Sequence, residues 1–137
     1  EALIDQGRLD HPIFAHAQAF SKADLIVICA PYWDYLFPAS LKTYIEHVCV
    51  RTLTFIYQGS EPVGLCHARD LAFFTTSGSA IGRDNWGGEY LRAVTGKLLG
   101  IQNFHQISAE ALDLPETNVA QALERAFRQA EALAETL

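Results

Sequence analysis

The sequence contains no methionine and only three cysteines, and no positive charge in excess. Each shortage narrows what the chain can be. A net charge of −6 leaves no basic field to draw a polyanion, so nucleic-acid binding is disfavoured. Cys29, Cys49 and Cys66 are widely spaced, odd in number and form no Cys-x-x-Cys pair. A zinc ribbon or a redox dithiol is therefore not expected, and reduced thiols in a cytoplasm are. The longest apolar run, Leu25 to Ala30, falls far short of the ~20 residues a membrane-spanning helix needs. No basic stretch followed by an apolar one opens the chain, so no secretory signal is expected. The five histidines are not at close metal-ligand spacing, and no metal site is expected. Neither a Walker loop nor a G-x-G-x-x-G fingerprint occurs.

What is present is one domain's worth of residues, 1–137, half of them apolar. Helical periodicity marks His11–Lys22, Pro38–Cys49, Asp84–Leu99 and Pro115–Leu137. In the last of these, Val119, Ala122, Leu123, Ala126, Phe127, Ala130, Leu133 and Leu137 form a stripe expected to be buried. Three short apolar runs read as strands: LIVICA (25–30), LAFFTT (71–76) and the less apolar 101–107, expected nearer an edge. The first suits a strand covered on both faces. TLTFIY (52–57) is β-prone and precedes a turn-rich loop, Gln58–Pro62. Residues 1–10 are polar and do not read as a strand. Alternating helices and strands imply right-handed β-α-β crossovers in an open, doubly wound parallel sheet.

Ligands of such sheets sit beyond the carboxyl ends of the strands. The loop after LIVICA is Pro31-Tyr32-Trp33-Asp34-Tyr35-Leu36-Phe37-Pro38, with four aromatics between two prolines. That surface suits a flat heteroaromatic ligand, or equally the protein's own core or a partner subunit. Asp34 reads as a turn former through an Asx bond. The loop Thr75-Thr76-Ser77-Gly78-Ser79-Ala80 offers close backbone approach and hydroxyl donors, although small-residue loops are also ordinary strand-to-helix turns. Asp84, Asn85, Trp86 and Gly87-Gly88 read first as helix initiation, with a place near a ligand pocket as the alternative.

ADLIVICAPYWDYLFPASLKTYIEHV resembles the central stretch of the FMN-dependent NADH-azoreductase and NAD(P)H:quinone oxidoreductase family. That family has a strand ending in A-P, an aromatic loop, then P-x-x-L-K opening a helix. TFIYQGSEPVGL is similar to its T-F-x-Y…G-P-x-G-L stretch, and FFTTSGSA to its second flavin loop, with Ser79 and Ala80 departing from the usual residues. The resemblance implies a flavodoxin-like, three-layer α/β/α fold of strand order 2-1-3-4-5. It implies FMN contacted by Pro31, Tyr32, Trp33, Asp34 and Tyr35 along the ring, and by Thr76, Ser77, Gly78 and Ser79 near its pyrimidine edge. It also implies NAD(P)H as co-substrate, a quinone or azo acceptor reduced by ping-pong hydride transfer, and a homodimer. No catalytic acid or base is assigned.

The three strands match the family's third, fourth and fifth. The family's serine-rich phosphate loop, which follows its first strand, has no counterpart here. The expectation is a chain lacking the family's opening β-α-β unit, trimmed rather than naturally short, that binds FMN weakly or not at all by itself. A non-catalytic flavodoxin-like fragment or dimerisation module without cofactor is the alternative. A response-regulator receiver fits poorly, because the strand ends carry Ala30-Pro31 and Thr75-Thr76 rather than acids.

Overall fold

The computed structural model describes residues 2–137. A single helical turn, α1 (Ala2–Asp5), opens it. A 3₁₀ turn at Pro12–Phe14 leads into α2 (Ala15–Lys22), then β1 (Leu25–Cys29) and α3 (Ala39–Val48). A two-stranded excursion follows, β2 (Phe55–Gln58) and β3 (Glu61–Gly64). The chain then runs through β4 (Asp70–Thr76), α4 (Trp86–Ala93) with a π-helical extension at Val94–Leu98, β5 (Asn103–Ala109) and α5 (Val119–Ala134). The main sheet is parallel in the order β1-β4-β5, with Ile28 beside Phe73 and Phe73 beside Gln106.

The two faces of this sheet differ. Ile26 and Ile28 of β1 and Leu71 and Phe73 of β4 point toward α3 and α4, where they join Ile45, Val48 and Leu91 in the core. Aliphatic β-branched residues suit this dry layer, because they pack well on a pleated surface. The other face carries α5 over β5, but nothing over β1 among the described residues. Leu25, Val27 and Cys29 are exposed, Val27 by 55%. The expected strand covered on both faces is thus covered on one. The same shortage changes α5: of its expected buried stripe only Ala122 is buried, while Phe127 is 61% exposed. Leu123, Ala126, Phe127 and Ala130 of that stripe border an open apolar groove instead.

Element bounds shift for identifiable reasons. Helix α5 begins four residues later than the apolar period suggests, since the Asn118 side chain accepts from the Gln121 N–H and caps it. Residues Glu61 and Pro62, expected in a loop, pair with Gln58 and Tyr57 across the antiparallel hairpin. The hairpin docks through Gly64: a Cβ there would lie 2.1 Å from the Leu99 carbonyl carbon. Gly100, with φ +83°, ends the π-helical turn as expected of a helix stop.

Candidate functional site

Three loops leave the carboxyl ends of β1, β4 and β5 and converge on one polar cleft of ~630 Å³. The first contributes Tyr32, Asp34 and Tyr35, the second Gly78, Ser79 and Ala80, the third Asp113 and Leu114, and Asp84 completes the lining. Parallel strands end together at this edge, so their loops are neighbours whatever their sequences.

The aromatic loop is held by backbone bonds at both ends. The Tyr32 N–H donates to the Thr76 carbonyl at 2.8 Å. Trp33 and Leu36 exchange N–H···O bonds of 3.1 and 2.8 Å around a two-residue turn. Its central residues, Asp34 and Tyr35, have φ of 49° and 69°. Such a turn ordinarily takes Asn-Gly, and a tyrosine there costs about 1 kcal/mol or more. The strained turn splits the aromatics. Tyr32 and Tyr35 face the cleft, their ring centroids 6.4 Å apart at 74°. Trp33 does not line the cleft but a different depression, with Phe37 and Lys42. Asp34 turns the chain through its own left-handed backbone rather than by the expected Asx bond.

The second loop is tied to the third. The Ser77 N–H donates to Ala109, Ala111 to Ser79, Leu112 to Ser77 and Asp113 to Gly78, all at 3.0–3.1 Å. A Cβ at Gly78 would fall 2.1 Å from an Asp113 carboxylate oxygen, so a larger residue there would have to turn the exposed Asp113 side chain aside. Ser77 is buried, its Oγ donating to the Ser79 carbonyl at 2.5 Å. The N–H groups of Gly78, Ser79 and Ala80 have no protein acceptor among the described residues and border the cleft. Glu110 braces the loops, accepting from the Ile81 N–H at 2.8 Å and the Ser108 hydroxyl at 2.6 Å.

The start of α4 forms the remaining wall. The Tyr32 hydroxyl donates to the Asp84 carbonyl at 3.1 Å. Burial first, then the Asp84 charge, raises the phenol above its ordinary pKa. Trp86 stands beside Tyr35 with centroids 6.1 Å apart. Helix α4 starts at Trp86 with Asn85 in the capping position, as the reading of 84–86 as helix initiation expects, but the Asn85 side chain makes no capping bond. It instead pairs with Gln106 of β5 through two amide bonds of 2.8 and 3.2 Å.

Of the expected site residues, Tyr32, Asp34, Tyr35, Gly78 and Ser79 come together in the cleft. Ser77 supports it from beneath. Pro31 and Thr76 border a separate apolar groove of ~360 Å³, lined also by Phe74 and Phe127, which is the uncovered sheet face. The loop at 110–114 was missed by the reading of the sequence, although the rule that selects the loops after β1 and β4 selects the one after β5 as well. Among the described residues, no cluster of His, Cys, Asp or Glu suits a metal ion.

Known proteins share this arrangement of chain. An FMN-dependent NADH-azoreductase from Bacillus anthracis, solved in complex with FMN, superposes with a TM-score of 0.82 at 21% identity, over 96% of this chain and 64% of its own. An FMN-dependent NADH:quinone oxidoreductase 2 of Clostridium acetobutylicum is 36% identical over 126 residues, 88% of this chain and 62% of the relative. An FMN-dependent NADH:quinone oxidoreductase of Clostridium perfringens is 34% identical over 134 residues, 95% of this chain and 66% of the relative. The chain thus spans slightly under two thirds of the length of these relatives. The sequence profile of a family described by its flavodoxin-like fold matches residues 5–134. By that match, and by the parallel sheet and crossovers that realise it, the chain belongs to the flavodoxin-like fold family.

Proposed function

We propose that this chain is part of an FMN-dependent NAD(P)H oxidoreductase that reduces quinones or azo compounds. The observation that carries the proposal is the cleft itself, whose lining brings together two tyrosines and three residues whose N–H groups lack a protein acceptor. The arrangement fits the isoalloxazine ring: a flat ligand would meet Tyr32 and Tyr35 while the N–H groups of Gly78, Ser79 and Ala80 donate to ring carbonyls. It offers no cationic side chain for the phosphate, because no lysine or arginine lines the cleft. Pro31, Trp33 and Thr76 contribute to loop position, and Ser77 to loop shape.

Bound FMN would supply the hydride chemistry, taking it from a nicotinamide and giving it to the acceptor in two half-reactions. The residues' share is positional. The strained turn presents Tyr35, the Tyr32–Asp84 bond fixes the cleft's width, and the free N–H groups oppose negative charge that develops at the ring edge. With the ring half alone, FMN binding by this chain is expected to be weak. We propose in addition a homodimer in a cytoplasmic setting, supported by three cysteines in free form and by relatives named as NADH-dependent enzymes. Among the described residues no helix is long and apolar enough to cross a membrane.

The exposed apolar face of β1 favours a second reading, a dimerisation module without cofactor. NADH oxidation with a quinone or azo dye, in excess FMN, separates the two. The oxidoreductase reading requires a rate above that of free flavin, with parallel double-reciprocal plots. A rate equal to flavin alone favours the module.

A further inference from the structure

The N–H groups of Gly78, Ser79 and Ala80 are aimed by carbonyls that are already engaged. A planar trans peptide points its N–H and its C=O in opposite directions, and no cis bond occurs among the described residues. The carbonyls of Ser77, Gly78 and Ser79 accept from the N–H groups of Leu112, Asp113 and Ala111 at 3.0, 3.0 and 3.1 Å. Those same three peptides carry the N–H groups of Gly78, Ser79 and Ala80, which are therefore turned away from the loop after β5. One peptide further on the direction reverses, because the Ile81 N–H donates to Glu110 Oε2 at 2.8 Å. The other oxygen of that carboxylate takes the Ser108 hydroxyl at 2.6 Å, so Glu110 is anchored to β5. Glu110 does not itself line the cleft. Ala111, next in sequence, has φ of 61°, a left-handed backbone that alanine adopts only where its surroundings hold it.

We infer that Glu110 is a positioning residue for the flavin ring: acting through the Ile81 N–H, it holds the loop 77–81 so that three N–H groups face the ring carbonyls. The inference rests on the oxidoreductase reading and assigns a residue to that site which never touches the ligand. Two physical effects support it. A carboxylate is a stronger acceptor for a backbone N–H than a neutral oxygen, so it fixes the end of the row firmly. Donors fixed before the ligand arrives cost no ordering when it binds. Without Glu110 the 80–81 peptide is free to turn, and the Ala80 and Ser79 N–H groups turn with it toward water. A glutamine keeps one oxygen for the Ile81 N–H, and its amide can donate to the Ser108 hydroxyl. An aspartate keeps the charge but is one methylene shorter, and does not hold both partners.

Three ligands test this: FMN, 2-thio-FMN and 4-thio-FMN, the last two with sulfur, a weak acceptor, in place of one ring carbonyl oxygen. Their dissociation constants are measured by NMR titration of the protein without NADH. In the unaltered protein at least one thio analogue should bind about fivefold more weakly than FMN. Glu110→Ala should weaken FMN by about tenfold and erase most of its advantage over the thio analogues. Glu110→Gln should restore both the affinity and the advantage to within about twofold. General loosening of the chain would weaken all three ligands alike and leave their ratio unchanged. An unchanged ratio in Glu110→Ala, equal binding of the three ligands by the unaltered protein, no binding of any, or no rescue by glutamine would overturn the inference. Where Glu110→Ala does not fold, Glu110→Asp decides by the same ratio. NADH oxidation no faster than flavin alone, with the ligand preference intact, sinks only the oxidoreductase reading; equal binding in an active protein sinks only the positioning.

Discussion

The Tyr32 hydroxyl reaches across 52 positions of sequence to donate to the Asp84 carbonyl at 3.1 Å. That single bond ties the aromatic loop after β1 to the start of α4, and so spans the mouth of the cleft. Tyr32→Phe keeps the ring and removes the bond. Because the contact is solvent-accessible, the expected cost in stability is small, about 0.5–1 kcal/mol. The larger expected effect is on loop order: amide exchange at Asp34 and Tyr35 should quicken while that of β4 stays unchanged. Unchanged exchange at the turn would show that the bond does not hold it.

Gly64 is where the hairpin meets the π-helical turn. An alanine Cβ there would lie 2.1 Å from the Leu99 carbonyl carbon and 2.2 Å from the Gly100 nitrogen, both backbone atoms that cannot rotate away. Gly64→Ala should cost about 3 kcal/mol in urea denaturation. Gly59, at the hairpin tip with φ +65° and open space around it, sets the comparison. Gly59→Ala should cost about 1 kcal/mol, from backbone conformation alone. Equal losses would mean that the hairpin does not dock as described.

Much of this architecture was legible in the sequence, and the parts that were not have physical reasons. LIVIC, the Pro38-x-x-Leu41-Lys42 helix start, LAFFTT and the Gly100 stop all appear where local pattern placed them, because each is set by propensity and chain stereochemistry. The exposure of Phe127, Val27 and Cys29 was not legible. A periodic stripe shows which side of a helix or strand is apolar, and carries no information about whether a partner covers it. Trp33 illustrates a different limit. Its neighbours Tyr32 and Tyr35 face the cleft, but two left-handed residues in a row reverse the chain, and nothing in an aromatic-rich stretch signals that. The Asn85–Gln106 pair likewise depends on two elements meeting in space, which local pattern does not carry.

Asp70 gives a pH-dependent prediction. The hydrogen bond with His105, 2.9 Å away, holds its carboxyl below the usual range, with a lesser bond from Asn103 in the same direction. A carboxyl with a depressed folded pKa adds stability that is complete above about pH 4 and lost as pH falls through the folded value. The pair is partly exposed, so its worth is about 0.5–1 kcal/mol. Asp70→Asn should therefore destabilise at pH 7, and the difference should shrink as pH falls below about 4. A difference that stays constant as the pH falls would assign the loss to packing instead.

The three thiols should react in a set order. Cys29 is exposed on the uncovered face of β1. Burial, with the neighbouring Cys49 adding to it, pushes the Cys66 thiol up to about 11. At pH 8 only ~0.1% of Cys66 is then thiolate, the form that reacts. Alkylation by iodoacetamide, followed by peptide mass spectrometry, should label Cys29 first and Cys66 last. Cys66 labelled as fast as Cys29 would contradict the packing of β3 against the π-helical turn.

The most direct measurement is an amide NMR titration of the 137-residue protein with riboflavin, which has the flavin ring and no phosphate. The account predicts shift changes concentrated at Asp34, Tyr35, Gly78, Ser79 and Ala80, with FMN producing the same pattern at similar, weak affinity. Changes confined to the apolar groove around Phe74 and Phe127, or submicromolar FMN binding that riboflavin cannot match, would contradict it.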